Sequence, residues 1–196
     1  MREAHERNPG PWARHSELVA TAARIFASEI DGLDDTKAYL MGLLHDIGRR
    51  TGPNQTRHAL DGYNYLKAKG YEELARICIT HCFPNSNANA NTGLWDCTEQ
   101  ELAFVKEFLS SYLYDDYDYL IILCDCVTME DCYVLIEKRL LDVALRYGLR
   151  NRVPIEVSVL EKWQKIFEIK NYFEQQIGKS IYALLPGVAE STFNFT

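Results

Sequence analysis

Two acidic residues stand inside the two most apolar stretches of this chain. Asp46 follows His45 within the run 38–48, and Asp125 interrupts the run 119–127. Runs of this length and composition fold as helices buried on most sides, where an uncompensated carboxylate is strongly destabilising. Lys37, Arg49 and Arg50 lie at the ends of the first run, and no Lys or Arg occurs between Lys106 and Lys138 around the second. A bound metal ion is the economical counter-charge.

Four histidines, His15, His45, His58 and His81, fall on or beside apolar helical faces. Imidazole and carboxylate together suit zinc, iron, manganese, cobalt or nickel. Four His and two Asp are too many donors for one tetrahedral ion, so the count fits two ions sharing a bridging ligand.

The remaining pattern predicts an all-α fold. After a Pro-rich stretch at 8–11, helices are expected at 16–30, 36–47, 55–69 and 71–81. A capping box of Thr98 and Glu101 opens another that runs to about 112, and three more are expected at 115–128, 130–147 and 156–177. No strand pattern occurs. The Asn-rich stretch 84–97 follows His81 directly and reads as a mobile rim of an active site. Acids among the aromatic residues of 112–119 read as a solvated helix start. The segment after Gly178 is weakly patterned and is compatible with a docked or a disordered tail.

Composition narrows the function classes. A chain of 196 residues fits one domain spanning 1–196. A net charge of −7 opposes bulk nucleic-acid binding but leaves room for a local basic pocket. The longest apolar run is about half of a membrane span, so no membrane segment is expected. The first thirty residues carry no apolar signal core, which places the protein in the cytoplasm as an expectation. The six cysteines lie mostly in apolar helical runs and read as reduced thiols. A zinc–thiolate site, which Cys82 after His81 and the pair Cys124 and Cys126 invite, is set aside, because that pair would point about 200° apart on a helix and no second pair has the usual ligand spacing.

The sequence LLHDIGRR at 43–50 contains a His-Asp dyad, preceded by His15 and followed by His58, His81 and Asp125. This order resembles the dinuclear branch of the HD superfamily, all-helical and for the most part metal-dependent phosphohydrolases. The resemblance covers about 11–128 and leaves a helical extension at 130–178 and a tail at 179–196. It implies a compact HD-domain bundle in which His15, His45, Asp46 and Asp125 hold one metal, while His58 and His81 hold a second that Asp46 bridges. The ions it implies are divalent or mixed-valent, with iron first and manganese, cobalt, nickel or zinc as alternatives. Asp46, His45 and Arg49 are the expected catalytic residues.

Members of the superfamily often carry Lys after the HDIG sequence, where this chain has Arg49 and Arg50. A guanidinium keeps the charge and adds a planar fork for phosphate oxygens, but it is a poor proton donor. Arg49, Arg50 and Arg57 are therefore expected to bind phosphate, and Asp61 to orient a ligand imidazole.

The expected activity is hydrolysis of a phosphomonoester or phosphoanhydride in a small molecule, a nucleotide among the candidates. Two other classes stay open: a mixed-valent diiron oxygenase on the same ligands, and a non-catalytic nucleotide-binding module. Oligomeric state is not legible.

Overall fold

Ten α-helices and no strand make up the regular structure of residues 1–91, 93–152 and 154–193, which the computed structural model describes. In chain order they are α1 (Arg2–Arg7), α2 (Trp12–Ala27), α3 (Asp35–Leu44), α4 (Arg57–Lys67) and α5 (Glu72–Thr80). The series continues with α6 (Glu99–Ser111), α7 (Asp116–Cys126), α8 (Ile136–Val143), α9 (Val157–Ile177) and α10 (Val188–Phe193). The all-α expectation holds, and the one isolated antiparallel bridge among the described residues pairs Thr128 with Tyr133. Among the described residues, no helix is long and apolar enough to cross a membrane.

Small residues set the closest helix approach. A side chain on Gly42 of α3 would place Cβ 2.8 Å from the Ala20 Cα of α2, so the two backbones touch where neither residue carries bulk. α7 runs through the middle of the bundle, with Leu120 to Cys124 all buried. Val19, Phe26, Met41, Ile166 and Phe173 pack around it from α2, α3 and α9. Gly178 closes α9 at φ +75°, a left-handed cap that glycine adopts without strain. Beyond it, Ile181, Leu185 and Val188 join the same core, so the described part of the tail is docked.

Several boundaries depart from the sequence reading, each for a local reason. α2 begins at Trp12, behind Pro11 as N-cap, so His15 lies inside the first turn and is buried. α3 stops at Leu44, and a 3₁₀ segment follows at Ile47–Thr51. The expected helix 130–147 is regular only as α8 and continues as a π-helix over Ala144–Leu149. α1 was not anticipated; it contributes Ala4 to a small cluster with Trp12 and Ile47.

The acidic stretch 112–119 is not a solvated face. Asp115 caps α7, accepting from the Tyr117 amide at 2.9 Å, but Asp118 is fully buried. Its carboxylate accepts from Arg76 and, at 2.7 Å, from Thr80 Oγ1, and Arg76 also reaches Asp115 at 2.7 Å. A buried guanidinium supplied from α5 makes this charge tolerable, and no local pattern announces it.

Candidate metal centre

The dyad owes its geometry to the break after α3. His45 is the C-cap of that helix, and Asp46 leaves it at φ −103° and ψ 13°. Two consecutive residues can therefore face one centre, which a continued helix would oppose by its turn of about 100° per residue. Gly48 then brings the segment against α4, since a Cβ there would lie 1.9 Å from the His58 carbonyl oxygen. That contact sets Asp46 Oδ1 3.1 Å from His58 Nε2.

All four histidines commit Nδ1 to a backbone carbonyl. His15 bonds Met129 at 3.0 Å, His45 bonds Gly42 at 2.7 Å, His81 bonds Ile77 at 2.9 Å, and His58 bonds Gln55. A carbonyl can only accept, so Nδ1 carries the hydrogen and a neutral ring presents a lone pair at Nε2. These lone pairs meet one another and the carboxylates. His58 Nε2 lies 3.4 Å from His81 Nε2, and His15 Nε2 lies 3.0 Å from Asp125 Oδ1. Asp46 Oδ1 is also 3.7 Å from His81 Nε2, and it is buried with no hydrogen-bond donor.

Acceptors aimed at acceptors repel unless a positive charge sits among them. The donor chemistry, nitrogen and oxygen with one orphaned carboxylate oxygen, fits divalent transition metals. Two groups have ligand atoms within 4.8 Å of one another: His15 with His45 and Asp46, and His58 with His81 and Cys82. The structure thus brings His15, His45, Asp46, His58, His81 and Asp125 together.

A model of the HD domain matches residues 12–119. The chain belongs to the HD domain family. HD domains form a superfamily of metal-dependent phosphohydrolases and bind divalent metals. The match ends inside α7, before Asp125, so that carboxylate and everything α8 and α9 bring to this HD domain lie beyond it. No curated protein and no solved structure matches the chain.

Asp46 and the part-buried Asp125 of the HD domain each have a guanidinium partner, contrary to the sequence reading. Arg49 Nε lies 2.6 Å from Asp46 Oδ2, and Arg139 Nη2 lies 3.1 Å from Asp125 Oδ1. The 3₁₀ turn lets Arg49 fold back over the dyad, and α8 returns Arg139 to the end of α7. Unbalanced charge is therefore not what calls for a metal here; the converging lone pairs and the orphaned Asp46 Oδ1 are.

Electrostatics follow from this packing. Burial acts to raise both carboxyls, yet Arg49 foremost holds Asp46, and the close contact with His15 followed by the Arg139 charge holds Asp125, well below the usual range. Burial pushes His45 down to about 3, so its ring stays neutral. Burial opposes charge on His81 and Cys82 as well, but each stabilises the ionised form of the other. His81 rises to about 9 and Cys82 falls to about 5. Without metal, a proton passed from Cys82 to His81 Nε2 takes the cation's place at this corner of the centre, and an ion must displace it to use that lone pair.

A cavity of about 150 Å³ opens on the centre, lined by Arg49, Arg139, Tyr147, Lys162 and Trp163 beside the imidazoles. A second, of about 290 Å³, lies on the other side and shares Asp46, Arg49, Arg139 and Tyr147 with it. Tyr147 comes from the π-helix, a geometry frequent at functional sites. The Asn-rich stretch contributes Asn91 and Gly93 to the rim, and its described residues bond to the start of α4. Asn91 donates to Thr56 Oγ1 at 2.8 Å, and Asp96 accepts from the Gln55 and Arg57 amides at 2.6 and 2.7 Å.

Three expected site residues are placed elsewhere. Arg50 lies 4.2 Å over the Tyr65 ring and 3.5 Å from Glu3. Arg57 bonds both Glu101 oxygens, at 3.0 and 2.8 Å, and neither arginine lines either of the two cavities at the centre. Asp61 accepts from Thr51 Oγ1 at 2.9 Å and pairs with Arg57; the Gln55 carbonyl, not Asp61, orients His58. Adjacency in sequence to a dyad or a ligand did not mean a shared direction. Conversely Arg139, Tyr147, Lys162 and Trp163 had no local signal. Cys82 had one, its position directly after His81, but its companions are imidazoles rather than a second cysteine.

Proposed function

We propose that this chain is a phosphohydrolase that cleaves a phosphomonoester or phosphoanhydride of a small molecule, with nucleotides the leading substrate class. The observation that carries this reading is the convergence of four Nε2 lone pairs and the orphaned Asp46 Oδ1 beneath a cavity bordered by Arg49 and Arg139. In it, His15, His45, Asp46 and Asp125 hold one ion, His58 and His81 hold another, and Asp46 is shared. Such ions supply hydroxide near neutral pH and polarise phosphoryl oxygens.

The chain's own residues do the rest. Each Nδ1–carbonyl bond fixes a ring so that Nε2 stays aimed inward. Arg49 orients Asp46 through Oδ2, reaches the Asn54 carbonyl with Nη1 and His58 Nε2 with Nη2, and keeps the second hydrogen of each outer nitrogen for a phosphate oxygen. Lys162 and Arg139 add positive charge to the same wall, and Trp163 with Tyr147 offers aromatic surface for a base or another flat group.

The test is phosphate release from a broad panel of phosphoesters and nucleotides by protein loaded with iron, manganese, cobalt or nickel. Turnover that Asp46→Asn abolishes supports the reading. Silence across the panel with both ions bound overturns it, and oxygen uptake with an organic substrate under the same conditions points to the oxygenase class.

A further inference from the structure

The two halves of the centre differ in chemistry. His15, His45, Asp46 and Asp125 offer nitrogen and oxygen only. At the other half, Cys82 Sγ lies 3.2 Å from His81 Nε2 and 3.6 Å from His58 Nε2, and the two nitrogens are 3.4 Å apart. Bonds of about 2.0 Å to nitrogen and about 2.3 Å to sulfur place tetrahedral ligand atoms roughly 3.3 to 3.6 Å from one another. Two of the observed separations fall in that range, and the third, at 3.2 Å, is just short of it. Asp46 Oδ1, buried and without a donor, approaches the same two nitrogens at 3.1 and 3.7 Å. Lys162 Nζ donates to the Cys82 carbonyl at 2.8 Å and fixes the backbone that carries the thiol.

We propose that Cys82 supplies a thiolate ligand to the ion held by His58 and His81, making that half a soft site of mixed nitrogen and sulfur. This rests on the metal-dependent reading above and adds a prediction of its own. Thiolate favours zinc, ferrous iron or cobalt over manganese or magnesium, so the two positions select different ions. Binding displaces the proton held by the Cys82–His81 pair, and the sulfur becomes unavailable to electrophiles.

The experiment is a Co(II) titration of the metal-free full-length chain, followed by absorption and by metal content. A thiolate-to-cobalt charge-transfer band in the near ultraviolet is expected in the wild type. Cys82→Ser removes the band and weakens cobalt at one of two positions by at least about ten-fold. Cys126→Ser, which alters the other cysteine lining the cavity, keeps the band. Alkylation mapped by peptide mass spectrometry gives an independent readout on unmutated protein, with Cys82 protected by zinc or cobalt and labelled without them.

Two bound cobalt ions with no charge-transfer band, or a band that survives in Cys82→Ser, would overturn the thiolate proposal while leaving the metal centre standing. Absence of cobalt binding altogether would overturn both.

Discussion

Arg139 Nη2 lies 3.1 Å from Asp125 Oδ1, the oxygen that His15 Nε2 reaches at 3.0 Å. One carboxylate oxygen thus joins the first long helix, the end of the central helix and a residue beyond the family match. In metal-free protein the guanidinium balances this acid, and a metal ion would take over part of that task. Arg139→Gln is expected to destabilise the metal-free protein by about 2 kcal/mol, between the losses seen for an exposed and for a fully buried pair. The loss should shrink when metal is added. Urea unfolding with and without manganese checks this; equal midpoints for variant and wild type would refute it.

Arg49→Lys separates charge from shape. Lysine keeps one positive charge but cannot bond Asp46 through one N–H and a phosphate oxygen through two others. Metal content should stay unchanged while kcat/KM on phosphoesters falls by at least about ten-fold. Elemental analysis beside steady-state kinetics distinguishes this from a lost metal site.

Gly48→Ala tests the contact that sets the dyad against α4. The added methyl would sit 1.9 Å from the His58 carbonyl oxygen and 2.5 Å from the Gly62 nitrogen, both backbone atoms with no room to yield. A loss of more than about 3 kcal/mol is expected. Thermal unfolding indistinguishable from wild type would contradict the packing described.

Glu101 gives a prediction for pH. Its hydrogen bonds with Arg57 first, then with the Thr98 amide, lower its pKa to about 2 from an ordinary value of 4.5. A carboxyl depressed on folding contributes stability above its unfolded pKa and loses it as pH falls through the folded one. Glu101→Gln keeps the capping acceptor and should therefore cost about 0.5 kcal/mol at neutral pH, the worth of a solvent-screened ion pair. Wild type and variant should converge as pH drops from about 4.5 toward about 2. A gap that persists in acid would remove charge from the explanation.

What the sequence made legible was local. The capping box of Thr98 and Glu101 is present as read, and the apolar run around Asp125 is the buried central helix. The order of His15, His45, Asp46, His58, His81 and Asp125 could be read because each sits at a recognisable place on a periodic segment. What escaped depended on contacts between distant segments. Arg139 and Lys162 reach the centre only after α8 and α9 fold over it, and Arg76 meets Asp118 across two helices. Arg50 and Arg57 were misjudged because nearness along the chain is not direction in space, and Glu3 and Glu101 claim them. The end of α3 at Leu44 left no mark either, since the run remains apolar through Ile47.

The family match stops at residue 119, one turn into a helix whose following residues, Leu120 to Cys124, fill the middle of the bundle. The shared span is consequently not an excisable module: a truncation there would bare the faces of α2 and α3 and discard a carboxylate of the centre. Everything downstream serves as scaffold and cleft wall at once, so mutational drift in the C-terminal third can reshape what fits beside the ions while the imidazoles stay put.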